Sequence, residues 1–222
     1  MAPIHTAAGR CDVEALRRLL AEGVSPSAAN DEDRGRTPLH YLFLTRPVQG
    51  DPAACFKLLR DAGANLDAVS RGDYTALHYA ASFANVEIVT LLVEAGANVN
   101  AVTAVGWNPL HFAALRTVDC VEVLLAAGAS VNARDGISGG TPFDLALNQN
   151  RRRAWPLFLR RGAEIPTDCT EPYIVRVRNA NGFKKYEQAH ITRITAILAP
   201  TPRLPPEMVR KIVEFWLHAG YY

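Results

Sequence analysis

Apolar side chains recur along much of the chain at the spacing of amphipathic helices. One such stripe consists of Val86, Ile88, Val89, Leu91 and Leu92. Gly96 follows it, in the position where glycine commonly ends a helix. The small pair Ala80 and Ala81 precedes the stripe and predicts a first helix that a second one can approach closely. The pattern therefore predicts two short helices side by side, followed by a loop.

The predicted helix pair has a start signal that recurs along the chain. In the complete copies a Thr or Asn stands before a Pro or Ala, which suits a capping side chain followed by the first helical residue. The second positions of successive copies are 35, 38, 33 and 33 residues apart. Self-similarity at this period predicts an array of stacked repeats. The copies are Pro3-Ile4-His5, Thr37-Pro38-Leu39-His40, Thr75-Ala76-Leu77-His78, Asn108-Pro109-Leu110-His111 and Thr141-Pro142-Phe143-Asp144.

The end of each repeat also recurs, as a leucine-rich run that leads into Gly-Ala-Asn or Gly-Ala-Ser. Residues 58–68, 91–101 and 123–133 align without a gap. With the start signal, these motifs resemble the ankyrin repeat family over the range from Ala2 to Ile165. The resemblance implies an all-α solenoid of helix-turn-helix repeats with β-hairpin fingers between them.

The resemblance divides residues 1–165 into about five repeats and leaves residues 166–222 as a non-repeat helical extension. We expect a half-repeat cap at 1–28 and repeats at 29–68, 69–101, 102–133 and 134–165. The fifth copy has Asp144 in place of the usual His, and Pro156 predicts a shortened or restarted second helix there. Residues 46–52 widen the helix connection of the second repeat, and the fourth repeat lacks one residue near Leu115.

Four of the six histidines occupy the same position in successive repeats: His5, His40, His78 and His111. They would lie one repeat apart, which argues against a metal site. The family resemblance implies that each imidazole bonds to the nearby Thr hydroxyl and to the backbone of a neighbouring repeat. We therefore expect these histidines to be structural.

The resemblance also implies that a partner binds on a concave surface made of finger tips and first helices. Contacts should then fall at positions that the repeat does not constrain, and Trp, Tyr and Arg are common interface anchors. A finger residue can equally well pack on its neighbour. The predicted partner-binding residues are Arg71, Tyr74, Phe83, Val105, Trp107, Leu115, Arg116 and Ile137.

The composition is that of a folded chain. With 222 residues, 49% of them hydrophobic, the chain can bury a substantial core. Its formal net charge is +2, and residues 166–222 carry 8 basic and 5 acidic side chains. Basic runs at 151–153, 160–161 and 184–185 suit either a nucleic-acid contact or a solvated helix face. We favour the solvated face and expect no nucleic acid partner.

Other features narrow the functional classes. No run approaches the roughly 20 apolar residues of a membrane span, and a secretory signal is not evident, so we expect an intracellular, cytoplasmic or nuclear monomer. The four cysteines lie far apart without metal-ligand spacing, which predicts free buried thiols and no metal: Cys11, Cys55, Cys120 and Cys169. The sequence shows no phosphate loop, nucleophile elbow or recognisable catalytic carboxylate pair, so we expect no enzyme and no cofactor.

The C-terminal extension departs from the repeat. Residues 173–178 predict a short extended segment, followed by a turn and by two helices at Phe183 to Leu198 and Glu207 to Ala219. Residues 204–216 resemble the start of an F-box-like (PRANC-type) element, which implies docking to a cullin–RING ubiquitin ligase. The alternative is a C-terminal cap on the last repeat. The residues concerned are Leu204, Pro205, Glu207, Met208, Ile212, Val213 and Trp216.

Together these features predict a non-enzymatic protein–protein interaction module that binds a protein or peptide. The alternative hypothesis is a substrate-recognition adaptor of a cullin–RING ubiquitin ligase, which would use the F-box-like segment as a second binding surface.

Overall fold

The computed structural model describes residues 3–44 and 50–198, together with residues 205, 207–208 and 211. The described chain is helical, as the all-α prediction requires, and its β-structure consists of isolated antiparallel bridges Asn30–Arg36 and Ser70–Tyr74. The chain divides into two compact units, an N-terminal unit Met1–Pro142 and a C-terminal unit Phe143–Tyr222.

The N-terminal unit is built from consecutive pairs of short helices. First helices pack on first helices, since α1, α3, α5 and α7 contact one another in that order, and second helices α2, α4, α6 and α8 do the same. The helices are α1 (Pro3–Gly9), α2 (Val13–Ala21), α3 (Pro38–Leu44), α4 (Pro52–Asp61), α5 (Ala76–Ser82), α6 (Val86–Glu94), α7 (Pro109–Arg116) and α8 (Val118–Ala126).

Polar caps and glycines set the ends of the second helices. The side chains of Asp12, Asp51 and Asn85 each accept a backbone N–H from the first turn that follows. Thr117 ends α7 and also caps α8, so one residue connects this helix pair. This shared cap accounts for the residue that the fourth repeat lacks. Glycines with positive φ follow the second helices at positions 23, 63, 96 and 128.

Buried histidines join each repeat to the next one. Nδ1 of His78 accepts the Thr75 backbone N–H at 3.0 Å and lies 2.9 Å from the Thr75 hydroxyl oxygen. Nε2 of His78 lies 3.1 Å from the carbonyl oxygen of Trp107 in the following finger. The arrangement recurs at His40 and His111, which reach the carbonyls of Tyr74 and Gly140. The structural role predicted for these histidines is confirmed.

A second set of bonds joins the loops that follow the second helices. The side chains of Ser27, Asp67 and Asn100 each accept a backbone N–H from the corresponding loop of the next repeat, at 2.7–2.8 Å. Neighbouring repeats are therefore linked twice at the end of the helix pair where the fingers begin, by the histidines and by these polar side chains.

The C-terminal unit contains helices of less uniform length, from six residues in α10 to 16 in α12. A 3₁₀ turn at Arg152–Ala154 precedes a six-residue α10, so the second helix of the fifth repeat is short, as Pro156 predicted. Trp155 is buried; its indole N–H donates to the Ala146 carbonyl at 3.2 Å and its ring stacks on Tyr173. The helices are α9 (Pro142–Asn148), α10 (Trp155–Arg160), α11 (Pro172–Asn179) and α12 (Phe183–Leu198).

The extended segment predicted at residues 173–178 is wrong, because these residues belong to helix α11. Tyr173, Ile174 and Val177 are buried, which is helical spacing, whereas a strand would bury alternate residues. The helix predicted from Phe183 to Leu198 is confirmed as α12. The helix predicted at 207–219 lies largely outside the described residues, of which 207, 208 and 211 are helical.

Burial of the repeat histidines makes stability depend on pH. Burial lowers the pKa of His40 and His78 to about 4, from an ordinary value of 6.5. Between pH 6.5 and 4 the unfolded chain binds protons that the folded chain does not, so the free energy of unfolding should fall as the pH falls. Urea unfolding at pH 7 and pH 5 should show a loss of about 2 kcal/mol per histidine.

The variant His78→Gln should be less stable at pH 7 and should show a smaller loss between pH 7 and pH 5. Leu92→Ala is the control, because it removes buried apolar surface without removing a titrating group. An equal pH dependence in His78→Gln and Leu92→Ala would contradict the assignment.

Candidate functional site: the finger face

The loops between helix pairs form four fingers, at residues 30–37, 70–75, 103–108 and 135–141. Each finger is a hairpin closed by a backbone hydrogen bond of 2.8–2.9 Å. We call these fingers, with first helices α3, α5 and α7, the finger face. The closing bonds are Asn30 N–H to Arg36 O, Ser70 N–H to Tyr74 O, Thr103 N–H to Trp107 O and Asp135 N–H to Gly140 O.

Backbone hydrogen bonds also connect each finger to the one before it. The N–H groups of Arg71, Ala104 and Gly136 donate to the carbonyls of Arg34, Gly72 and Val105, at 2.7, 2.9 and 2.8 Å. The third and fourth fingers approach so closely that a Cβ at Gly106 would lie 2.8 Å from the Gly136 nitrogen. These bonds hold the finger tips at fixed separations, so their side chains form a continuous edge.

The predicted partner-binding residues differ in exposure. Ile137, Phe83 and Val105 are 80%, 55% and 38% exposed. Arg71 and Arg116 are also exposed, whereas Tyr74, Trp107 and Leu115 are half-buried.

The structure places the predicted residues in two groups. Arg71, Tyr74, Val105, Trp107 and Ile137 belong to the fingers. Phe83, Leu115 and Arg116 lie at the C-terminal ends of α5 and α7. A seven-residue helix such as α5 is about 10 Å long, so the second group is separated from the fingers by that length.

Tyr74 and Trp107 pack against the first helix of the fourth repeat. Their ring centroids lie 5.8 and 5.0 Å from that of Phe112. Trp107 also stacks on His111 at 5.7 Å. Both residues therefore support the finger face, in addition to any contact that their exposed edges make.

The sequence analysis missed a row of aromatic residues on the first helices. Tyr41, Tyr79 and Phe112 each follow the repeat histidine directly, and their rings lie beneath the fingers. The signal was present, because aligning the copies on the histidine places an aromatic residue next to it three times. In the fifth copy this position is Leu145.

A polar network anchors the first finger. Arg36 bonds to the Asp33 carboxylate at 2.9 Å, and its guanidinium carbon lies 5.5 Å from the Tyr79 ring centre. Tyr41 donates its hydroxyl proton to Asp33 and accepts a hydrogen bond from Asn30. The bond from Tyr41 is the main cause that holds the pKa of Asp33 below its usual value, and the Arg36 guanidinium adds to it.

The fourth finger owes its form to a single carboxylate. Asp135 accepts the backbone N–H groups of Ile137, Ser138 and Gly140, and the Ser138 hydroxyl, at 2.6–3.0 Å. These bonds, first those from Ser138, hold the pKa of Asp135 well below its usual range. The inward-facing carboxylate fixes the tip in one form and leaves Ile137 exposed to solvent.

The edge of the finger face changes in character along its length. The first finger carries exposed acidic residues Asp31 and Glu32, whereas the third finger, residues 103–108, has no charged side chain. Val102, which precedes the third finger, is 54% exposed. Val102, Val105 and Ile137 thus make the edge apolar at the third and fourth fingers.

Among the described residues, no group of three or more His, Cys, Asp or Glu side chains is arranged to hold a metal ion. Within the same part of the chain, no helix has both the length and the apolar character to cross a membrane. The exposed residues of the fingers are apolar or are charges at the surface.

Comparison with known proteins finds the repeat motif directly. A family model described as ankyrin repeats, in three copies, matches residues 42–135. The match spans the second and third fingers and helices α5 and α7 of the finger face.

Similar proteins include the nuclear factor NF-kappa-B p105 subunit of Gallus gallus, which is 30% identical over 161 residues. That alignment covers 69% of this chain and 16% of the relative. Inversin of Danio rerio is 34% identical, and inversin of Homo sapiens 36%, each over 90 residues that make up 40% of this chain and 8% of the relative. The chain therefore spans a small part of the relatives it matches.

The half-buried aromatic residues of the fingers and their exposed apolar residues should respond differently to substitution. Trp107→Ala removes a half-buried ring that packs on Phe112 and His111, and we expect the free energy of unfolding to fall by about 2 kcal/mol. Ile137→Ser alters a side chain that is 80% exposed and should change it by about 0.5 kcal/mol or less. Chemical unfolding of both variants measures the difference, and equal losses would contradict the packing described.

Proposed function

Because this chain is an ankyrin repeat protein, we propose that it binds a protein or peptide partner on the finger face and catalyses no reaction. Ankyrin repeats indicate a protein–protein interaction module, and the family is in general non-enzymatic. The observation that carries the proposal is the exposed apolar edge formed by Val102, Val105 and Ile137 on hydrogen-bonded fingers. Clusters of exposed apolar side chains on a soluble surface commonly mark binding sites.

The rigidity of the fingers supports this proposal. Binding costs conformational entropy when loops must become ordered, and a surface that is ordered beforehand avoids much of that cost. The bond from Gly136 to Val105 and the four bonds to Asp135 hold two apolar tips in place before a partner arrives. Ile137 and Val105 therefore have the properties of anchor residues.

Half-buried aromatic side chains supply the floor of the proposed site. Tyr74 and Trp107 lie between the finger tips and the Phe112 ring. Aromatic rings with a supported back and an accessible edge are frequent at the centre of interfaces. Arg71, at the second finger, adds a cation that can contact an acidic or aromatic group of the partner.

The repeat array of this proposal is longer than the range 42–135 that the family model matches. Helices α1 and α2 pack as a pair, and Nε2 of His5 lies 2.7 Å from the carbonyl oxygen of Ala28, so we propose that the array begins with them. We place its end near residue 165, after α10.

The proposal can be tested with peptides selected from a random-peptide display library panned on the unaltered chain. Ile137→Asp combined with Val105→Asp puts two charges on the apolar edge and should weaken the best selected peptide about tenfold or more. Titration calorimetry measures the affinity. The control is Ala126→Asp, compared with each single variant Ile137→Asp and Val105→Asp, because it adds one charge to an exposed residue of helix α8.

Two results would refute this proposal. One is a selected peptide that binds the Val105 and Ile137 double variant as tightly as the unaltered chain. The other is a loss of affinity in Ala126→Asp equal to that in each single variant, which would show that added charge alone weakens binding.

A second candidate function is a ubiquitin ligase adaptor, and the sequence Leu204-Pro205-Pro206-Glu207 favours it. In the described part of this segment, Pro205, Glu207 and Met208 are exposed, with Met208 at 48%. Exposed side chains suit docking better than capping, because a cap buries its apolar residues. The other residues of the F-box-like segment, Leu204, Ile212, Val213 and Trp216, lie outside the described residues.

The adaptor function is tested with a purified linker subunit of a cullin–RING ligase, of the kind that F-boxes bind. The double variant Glu207→Lys, Met208→Ser should lose binding to this subunit while its melting temperature stays within about 2 °C of the unaltered chain, because both side chains are exposed. Absence of binding by the unaltered chain, with a lower melting temperature in the variant, would instead identify a C-terminal cap.

A further inference from the structure

Two cysteines that are 44 positions apart in the sequence meet in the N-terminal unit. Cys11 lies in the turn between α1 and α2, and Cys55 lies in α4, which packs on α2. Both side chains are buried, and Cys11 packs against Gly50 and Asp51 just before α4, the helix whose first turn contains Cys55. Each thiol also shifts the pKa of the other. All four cysteines are free, as predicted; Cys11, Cys55 and Cys120 are buried, whereas Cys169 is half-buried. Cys11 and Cys55 are closer together than their sequence spacing indicated.

We propose that Cys11 and Cys55 form an oxidisable dithiol, which hydrogen peroxide converts to an intramolecular disulfide. The proposal rests on the placement of Cys11 beside the start of α4, which contains Cys55, and on the cavity that is lined by Cys11. It is independent of the finger face, because neither cysteine belongs to the fingers or to α3, α5 or α7.

A surface cavity reaches Cys11. The cavity has a volume of about 440 Å³, and its lining includes Arg10, Cys11, Gly50 and Asp51. Gly50 lies so close that a Cβ at that position would be 2.4 Å from the Cβ of Cys11. Any larger residue at position 50 would clash with Cys11, so this wall of the cavity requires glycine. Hydrogen peroxide is little larger than water, so the cavity can admit it to Cys11.

The two thiols are suited to different roles. The hydrogen bond with Cys55 lowers the pKa of Cys11, against the opposing effects of burial and of the Asp51 carboxylate. The same bond, together with burial, raises the pKa of Cys55. These directions favour Cys11 as the thiol that attacks the peroxide and Cys55 as the second thiol. A thiol with a lowered pKa beside a second thiol is the usual arrangement of redox-sensitive cysteines.

Cys120 provides the contrast within the same unit. It is fully buried in α8, and burial raises its pKa to about 11. A thiol that stays protonated at neutral pH reacts slowly with peroxides, because the thiolate is the nucleophile. The chain thus contains an internal reference for an unreactive cysteine.

The reaction proceeds in two steps. The Cys11 thiolate attacks one oxygen of hydrogen peroxide, the O–O bond breaks, and the products are Cys11 sulfenic acid and, after protonation, one water molecule. The Cys55 sulfur then attacks the sulfur of Cys11, its proton leaves with the sulfenic hydroxyl as a second water, and the S–S bond forms. Two thiols are oxidised by two electrons and one peroxide is reduced to two waters.

The disulfide would tie the α1–α2 turn to α4 and so connect the first two helix pairs covalently. A cross-link that closes a loop of this length restricts the unfolded chain and stabilises the folded one. We expect the oxidised form to melt about 5 °C or more above the reduced form, and dithiothreitol to reverse the shift.

The test is peptide mapping of the unaltered chain after treatment with graded hydrogen peroxide. Thiols that remain are alkylated in denaturant and the tryptic peptides are analysed by mass spectrometry. A peptide pair joined through Cys11 and Cys55 should appear while Cys120 remains fully alkylated. If Cys11 and Cys55 stay alkylated at peroxide concentrations that oxidise the half-buried Cys169, the proposal is wrong.

Two variants test which cysteine attacks the peroxide and which one then completes the disulfide. In Cys55→Ser, Cys11 should accumulate as a sulfenic acid that dimedone labels; in Cys11→Ser, Cys55 should remain reduced at the same peroxide concentration. Labelling of Cys55 in Cys11→Ser at the rate seen for Cys11 would overturn the assignment of Cys11 as the attacking thiol. The mapping of the unaltered chain decides the existence of the disulfide, whether or not these variants fold.

Discussion

The N-terminal unit depends on hydrogen bonds that each repeat makes to the next one. A pair of helices with seven to ten residues each buries too little surface to be stable alone, so it needs a neighbour. The histidines supply a bond that only a neighbour can complete, since Nε2 of His78 reaches a carbonyl in the following finger. The imidazole is buried and neutral, so its other nitrogen, Nδ1, can accept the Thr75 backbone N–H. The same histidine thereby fixes the start of its own first helix.

The finger face follows from this linkage. The carbonyls that accept from His40 and His78 belong to Tyr74 and Trp107, the same residues whose rings pack on Phe112. Tyr74 and Trp107 therefore have two roles. Their carbonyls take part in the bonds between repeats, and their rings form the floor of the proposed site. In the proposed site, specificity would come from the tips, where the side chains of Ile137 and Val105 are exposed.

Local sequence signals were sufficient for most helices but not for the surface. Thr75, Asn108 and the glycine that follows each second helix are local signals, and the helices begin and end beside them. Residues 173–178 were misread because a run of β-branched residues favours a strand, while burial of Tyr173, Ile174 and Val177 against α10 and α12 favours a helix. The exposure of Ile137 depends on how Asp135 folds the finger, and the contact of Cys11 with Cys55 depends on helix packing, so spacing along the chain showed neither.

The histidine bonds also bear on how the chain acquires its structure during synthesis. Each one joins residues only 23, 34, 29 and 29 positions apart, for His5, His40, His78 and His111 in turn. A ribosome therefore needs to deliver only one more finger before the preceding histidine finds its acceptor. Contacts of such short range allow folding to keep pace with translation, so that an incomplete chain already protects most of the apolar surface it has produced.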